Sequence, residues 1–250
     1  MPLQSYGKLC TQFYDITKPE PPPVEFQFYR ALCEAAGGPV LEAMCGSGRF
    51  LVPLLQLGID IEGMDASADM LQACRETARR RGLKPVLHEQ MLQDMALPRR
   101  YKLIIIPADS FVLVTDIGEA RASLRKLYEH LLPGGRLALA IMTPTAAGRL
   151  PGQWTGRWVK REDGATIVLS VLSSYDKAKK VESQVHKYEL FISGKLADTE
   201  MEHFAMRYYG RDEFSGLLVE AGFRDVSATV PYTGAPAADT DWEIMYEGKR

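Results

Sequence analysis

The chain has 250 residues, a hydrophobic content of 46%, a charged content of 25% and a formal net charge of -2. These proportions are typical of a soluble globular protein with one α/β domain, or one domain that carries a sizeable insertion. The near-neutral charge gives no electrostatic reason to expect nucleic acid or an anionic membrane as a partner, and it disfavours RNA as a substrate.

The first residues show no charged-then-apolar leader, and no apolar run is long enough to span a bilayer. We therefore expect a cytoplasmic protein with no membrane partner. The four cysteines, Cys10, Cys33, Cys45 and Cys74, have no paired spacing. This predicts neither a disulfide framework nor a zinc site, and no metal centre is expected.

The N-terminal part, residues 1–38, is predicted to hold an aromatic segment and one helix. Prolines between residues 19 and 23 predict an extended connector over residues 1–23. This segment carries Tyr14, so it either closes over a cleft as a lid or stays a loosely attached terminus. A helix from Val24 to Ala36 follows and ends at a glycine pair.

Residues 39–148 alternate strands with helices, which is typical of a doubly wound parallel sheet. The predicted strands are Val40–Met44, Asp60–Asp65, Pro85–Glu89, Tyr101–Pro107 and Arg136–Met142. The predicted helices are Gly48–Leu57, a helix that Ser67 caps and Gly82 ends, and Gly118–Leu132.

Residues 149–209 change to an antiparallel pattern, with Asp163-Gly164 as a hairpin signal and alternation that predicts one solvated face. The insertion begins at the carboxyl end of the fifth strand, the edge where such sheets bind ligands. We therefore expect it to roof a substrate pocket or to form a dimer contact. Residues 210–250 return to the core with a helix at Arg211–Ala221 and two last strands.

The stretch VLEAMCGSGRF, residues 40–50, reads as a strand, a glycine loop and a helix start. Glycines suit a loop that a ligand approaches closely, and a helix N-terminus suits an anionic or nucleotide-like ligand. A dinucleotide-binding fingerprint would need a third glycine where Leu51 stands. The missing glycine argues against a nucleotide-linked oxidoreductase.

The same stretch resembles motif I of class I S-adenosylmethionine-dependent methyltransferases. Glu42 takes the acidic position of that motif, and Cys45, Gly46 and Gly48 match the rest. Met44 stands where the family has its first glycine, so we expect the loop to lose some backbone freedom. This departure keeps open a non-catalytic nucleotide-binding protein with the same fold.

Later features fit the same family. Asp65 ends the second strand, where an acidic side chain can accept hydrogen bonds from ribose hydroxyls. Gln90-Met91 follows the third strand, where the family holds adenine, and Asp94-Met95 is the alternative frame. The turn LPGGRL and the tail RYYGRDEFSGLLVEAGF also resemble family segments.

The resemblance implies a doubly wound, mostly parallel seven-stranded sheet with an antiparallel β insertion after strand five. It also implies S-adenosylmethionine as cofactor. The residues placed to bind that cofactor are Tyr14, Glu42, Ala43, Gly46, Gly48, Asp65, Ala66, Met70, Gln90, Met91 and Pro107.

The implied reaction is in-line transfer of the sulfonium methyl group to a small molecule, with Tyr14, Asp109 and His186 as catalytic candidates. His203 is a further candidate base, and Asp109 fits a turn cap equally well. The aromatic N-terminal segment and the insertion resemble the sugar N,N-dimethyltransferases, which favours an amine acceptor. O-methylation is the alternative, aminopropyl transfer is weaker, and the chain is expected to be a monomer or a homodimer.

Overall fold

The computed structural model describes residues 6–147 and 152–250. Its helices are α1 (Lys8–Thr17), α2 (Pro23–Ala36), α3 (Leu51–Gln56), α4 (Ala68–Arg80), α5 (Ile117–His130) and α6 (Arg211–Glu220). Its strands are β1 (Val40–Ala43), β2 (Ile61–Asp65), β3 (Leu87–Glu89), β4 (Tyr101–Ile106), β5 (Leu131–Met142), β6 (Trp154–Lys160), β7 (Thr166–Asp176), β8 (Val181–Ile192), β9 (Lys195–Arg207), β10 (Arg224–Thr229) and β11 (Glu243–Lys249). No helix in this part of the chain is long and apolar enough to cross a membrane.

The larger sheet has seven strands in the order β10-β11-β5-β4-β1-β2-β3. Five neighbouring strands of this sheet pair in parallel, namely β5, β4, β1, β2 and β3. The strand β11 is antiparallel to both of its neighbours. All four residues of β1 are buried, because helices cover both faces of the sheet. The predicted fold, a mostly parallel seven-stranded sheet with an antiparallel insertion after strand five, is confirmed.

The chain order places a crevice beside β1. From β1 the chain moves outward to β2 and β3, and it then returns to the other side of β1 to form β4 and β5. Open α/β sheets bind ligands at this reversal, outside the carboxyl ends of the strands. The loops that follow β1, β2 and β4 therefore meet at one edge.

The smaller sheet has four antiparallel strands in the order β6-β7-β8-β9. Its inner face packs on α1, where Leu9 and Phe13 join a buried cluster with Ile167 and Tyr188. Its outer face is open, and Trp158 there is 65% exposed. The predicted boundary between core and insertion, at residues 148 and 149, lies outside the described residues.

The prediction of an extended connector over residues 1–23 is wrong, because this segment contains the helix α1. Leu9 and Phe13 are one helical turn apart and both are buried against the smaller sheet. The Glu200 carboxylate on β9 accepts the backbone N–H groups of Leu9 and Cys10 at 3.0 and 2.9 Å. Packing against the smaller sheet and hydrogen bonds from Glu200 thus stabilise a helix that the local sequence does not predict.

Candidate active site

A cleft of about 870 Å³, including its open mouth, lies at the carboxyl ends of β1, β2 and β4. The predicted cofactor residues that line it are Tyr14, Glu42, Gly46, Asp65, Ala66, Met70, Gln90, Met91 and Pro107. Tyr6 and Tyr14 bring the N-terminal segment into the wall of the cleft.

Two predicted cofactor residues lie outside this lining. Ala43 is fully buried and packs in the core of the sheet. A Cβ atom at Gly48 would lie 2.5 Å from the Cys74 Sγ atom. Gly48 therefore lets the loop approach α4, and its placement indicates packing rather than ligand contact.

The loop after β1 keeps its left-handed turns despite the methionine in it. Met44 has φ of 59°, in the region that glycine favours, and Gly46 has φ of 54°. A left-handed residue with a side chain costs about 1–2 kcal/mol. The expected constraint at Met44 is therefore present as local strain.

The Asp65 carboxylate joins the loops that follow β1 and β2. Its Oδ2 atom accepts the Gly46 N–H at 2.8 Å, and its Oδ1 atom accepts the Ser67 N–H at 2.9 Å. Burial raises the pKa of Asp65, while these backbone donors act to lower it. Each oxygen keeps further acceptor capacity, so the carboxylate can also accept hydrogen bonds from a ligand.

Three polar atoms of the cleft wall are buried without a hydrogen-bond partner among the described residues. They are the Glu42 Oε2, Arg49 Nε and Gln93 Oε1 atoms. Burial raises the pKa of Glu42 well above its usual value, although Arg49 acts to lower it. Buried polar groups are rarely left unpaired, so these atoms indicate a polar ligand in the cleft.

The two residue pairs that were predicted as alternatives for the adenine site lie in different places after β3. Gln90 and Met91 line it, whereas Asp94 is exposed and Met95 is buried in the core. The Gln90 Oε1 atom accepts the Ala96 N–H at 2.8 Å, so Gln90 already has a structural role. Sequence reasoning missed Gln93, whose only signal was its position three residues after Gln90.

Tyr14 lies in the cleft wall beside two cations. The Arg49 guanidinium carbon is 5.6 Å from the centre of its ring, and the Lys18 Nζ atom is 4.8 Å from it. Burial is the main cause that raises the pKa of Tyr14. The phenol therefore stays protonated near neutral pH, which suits a hydrogen-bond donor better than a base.

Asp109 lies between Ala108 and Ser110, which both line the cleft. Ala108 and Asp109 have φ of 58° and 54°, so two consecutive residues with side chains adopt the left-handed region. Such strain persists where surrounding contacts hold it, and it clusters at functional sites. One contact is from Glu25, whose Oε1 atom accepts the Ala108 N–H at 2.9 Å.

The two histidine candidates are not part of the cleft lining. The His186 Nε2 atom is 2.7 Å from the Gln184 Oε1 atom, and its Nδ1 atom is 3.3 Å from the Tyr188 hydroxyl. Burial, helped by Arg157, lowers the pKa of His186 to about 4. Its ring is thus neutral and already hydrogen-bonded, and its placement does not favour the predicted base role. His203 is exposed on β9.

Part of the sequence and the whole fold are similar to known methyltransferases. A family model described as a methyltransferase domain matches residues 40–135. The solved structure of the CcbJ methyltransferase from Streptomyces caelestis is similar to this fold, with a TM-score of 0.77 and 23% sequence identity. The aligned region covers 99% of this chain and 98% of the CcbJ chain. The match to this family model and the shared fold make the chain similar to the class I S-adenosylmethionine-dependent methyltransferases.

The chain is also similar in sequence to two curated methyltransferases. The chain is 27% identical over 208 residues to a dTDP-3-amino-3,6-dideoxy-alpha-D-glucopyranose N,N-dimethyltransferase of Streptomyces fradiae, which covers 80% of this chain and 77% of the relative. It is 25% identical over 156 residues to a ubiquinone biosynthesis O-methyltransferase of Xanthomonas axonopodis, which covers 58% of this chain and 62% of the relative.

Proposed function

We propose that this chain transfers a methyl group from S-adenosylmethionine to the nitrogen of a small-molecule amine. The observation that carries the proposal is the set of buried, unpartnered atoms of Glu42, Arg49 and Gln93 in the wall of one cleft, among the residues that the structure describes. A ligand with an ammonium group, a carboxylate and an adenine amino group would satisfy all three, and S-adenosylmethionine has all of these groups.

Different residues of the cleft wall bind different parts of this cofactor. Glu42 accepts from the α-ammonium group, and Arg49 donates to the carboxylate of the methionine end. Asp65 accepts from the ribose hydroxyls with the lone pairs that Gly46 and Ser67 leave unused. Gln93 accepts from the adenine amino group, and the Met91 side chain packs on the adenine ring.

The protein's task is to orient the reactants. The acceptor nitrogen forms a bond to the methyl carbon as the carbon–sulfur bond breaks, and the electron pair of that bond stays on sulfur. Because the leaving group already carries the positive charge, alignment supplies much of the rate enhancement, on the order of 7–11 kcal/mol. The Tyr14 ring in the cleft wall can stabilise a cationic methyl or amine group by about 0.5–2 kcal/mol.

An amine acceptor is favoured for two reasons. Glu25 and Asp109 place carboxylates at the loop after β4, and these suit an ammonium better than a neutral hydroxyl. The relative from Streptomyces fradiae is named as an N,N-dimethyltransferase of an amino sugar nucleotide. Hydroxyl methylation is the second candidate, supported by the similarity to an O-methyltransferase.

The test is methyl transfer to matched acceptors. The protein is incubated with S-adenosylmethionine that carries a deuterated methyl group, and with amino sugars paired with sugars that bear a hydroxyl in place of the amine. Mass spectrometry should find the label on the amines alone. Label on the hydroxyl compounds alone would contradict the proposal. Cofactor binding without label on any acceptor would favour the non-catalytic alternative.

A further inference from the structure

Three acidic side chains from distant parts of the chain meet behind the loop that follows β4. They are Glu25 on α2, Asp109 in the loop and Glu243 at the start of β11, and we name them the carboxylate cluster. Glu25 and Glu243 are only 6% and 8% exposed. The Asp109 and Glu243 carboxyl groups lie in hydrogen-bonding contact with each other.

An independent observation indicates that the carboxylate cluster takes a ligand. The Tyr29 side chain is fully buried, and its hydroxyl has no hydrogen-bond partner among the described residues. Burial raises the pKa of this hydroxyl well above its usual value, and Tyr232 and the three carboxyl groups of the cluster raise it further. The Asp109 Oδ1 atom is likewise buried, and no N–H or hydroxyl group of the described residues donates to it. A ligand that brings N–H donors would satisfy both oxygens.

The charges around the carboxylate cluster favour a cation. Burial raises the pKa of Asp109 well above its usual value, and Glu243 and Glu25 raise it further. Burial and then Glu25 raise the pKa of Glu243 to about 7. Lys18 offsets part of this negative charge at Asp109, and the Tyr232 hydroxyl lies beside Glu25. Carboxylates held this close ionise together only when a positive group joins them.

We propose that the carboxylate cluster is the subsite that receives the protonated amine of the methyl acceptor, with the Tyr29 hydroxyl as a fourth hydrogen-bonding group. This inference rests on the proposed function. A primary ammonium has three N–H donors, which match the acceptor oxygens of the cluster. Ala108 and Ser110, on either side of Asp109, line the cofactor cleft, so the carboxylate cluster lies directly behind the wall of that cleft.

The subsite also gives the acceptor a route to its reactive form. The ammonium donates one proton to the Asp109 carboxylate, and this frees the nitrogen lone pair. The nitrogen then bonds to the methyl carbon, and the sulfonium becomes a neutral thioether. The proton leaves Asp109 for solvent when the methylated product is released.

Two cofactor analogues test the inference without knowledge of the acceptor. Sinefungin carries an amine on the carbon that replaces the sulfonium centre, whereas S-adenosylhomocysteine has a neutral sulfur there. The ratio of their dissociation constants, measured by calorimetry, therefore reports how strongly the protein attracts an ammonium beside the methyl position. We expect Glu25→Gln and Glu243→Gln each to reduce the preference for sinefungin about tenfold, since each removes a charge-assisted interaction.

The controls separate charge from folding and from the proposed function. A glutamine at position 25 can still accept the Ala108 N–H, so the loop should keep its shape. Glu34→Gln removes an exposed carboxylate from the same helix and should leave the ratio unchanged. Equal ratios in the wild type, Glu25→Gln and Glu243→Gln would overturn the inference alone. No binding of S-adenosylhomocysteine to the wild type would overturn the proposed function and the inference with it.

Discussion

The helix α1 is held over the cofactor cleft by carboxylates from the smaller sheet, and this attachment can be broken by one substitution. Glu200 accepts the N–H groups of Leu9 and Cys10, and Glu202 accepts the N–H of Gly7. The Tyr6 carbonyl accepts the Ser67 hydroxyl at 2.8 Å. Tyr6 and Tyr14 line the cleft, so we predict that Glu200→Ala weakens cofactor binding without changing any residue of the cleft wall.

The magnitude can be worked from the two hydrogen bonds that Glu200 accepts. A hydrogen bond to a charged group contributes about 1.5–3 kcal/mol, but Glu200 is half-buried and water replaces part of what is lost. We therefore expect Glu200→Ala to weaken the docking of α1 by about 2 kcal/mol in free energy. If high affinity requires docked α1, the dissociation constant rises by at most about 30-fold.

Calorimetric titration of S-adenosylhomocysteine into the wild type and Glu200→Ala measures this change. Asp198→Asn is the matched control, because Asp198 is exposed on the same strand and accepts only the N–H of Thr199 among the described residues. We expect the control to bind like the wild type. Unchanged affinity in Glu200→Ala would refute the idea that the docking of α1 sets the affinity of the cleft.

Two further predictions concern stability, and chemical denaturation checks both. Gly48→Ala places a Cβ atom 2.5 Å from Cys74 Sγ at a φ of 82°, so it should lower the free energy of unfolding by about 2–4 kcal/mol. The control Gly58→Ala has a φ of 80° and open space around the new Cβ atom, so it should lower that free energy by only about 1–2 kcal/mol. Equal losses would contradict the packing role of Gly48. Burial acts to raise the pKa of Glu62, but hydrogen bonds from His88, Arg99 and Tyr101 outweigh it and the pKa is lowered. Glu62 therefore stabilises the fold above its unfolded pKa, and this contribution is lost as the pH falls through the lowered folded pKa. Glu62→Ala should cost about 3–5 kcal/mol at neutral pH and much less in acid, and a loss independent of pH would contradict this role.

The core of the fold was predictable because its signals are local. The buried run Val40–Ala43 precedes glycines, and the apolar run Tyr101–Ile106 is continuous, as parallel strands covered on both faces require. Asp65 could be placed at the cleft because strand ends in a parallel sheet meet at one edge. These inferences need only a strand, its length and the residues directly after it.

The remainder depends on contacts between distant parts of the chain. The helix α1 requires Glu200, which lies 191 residues from Leu9. Glu25 and Glu243 reach Asp109 only when α2 and β11 lie beside the loop after β4. His186 was expected near the chemistry, but the alternation of β8 turns it toward α1 and Phe204. No local pattern in the sequence carries this information.

The central claim is that this cleft binds S-adenosylmethionine, and a calorimetric comparison of ligands tests it most directly. S-adenosylmethionine, S-adenosylhomocysteine and NAD are each titrated into the wild type and into Asp65→Ala. We predict that the first two ligands bind the wild type and that NAD does not. Asp65→Ala should weaken the binding by about 10- to 100-fold, since it removes ribose contacts and the tie to Gly46. Binding of NAD alone, or affinity for S-adenosylmethionine that Asp65→Ala leaves unchanged, would contradict the assignment of the cleft.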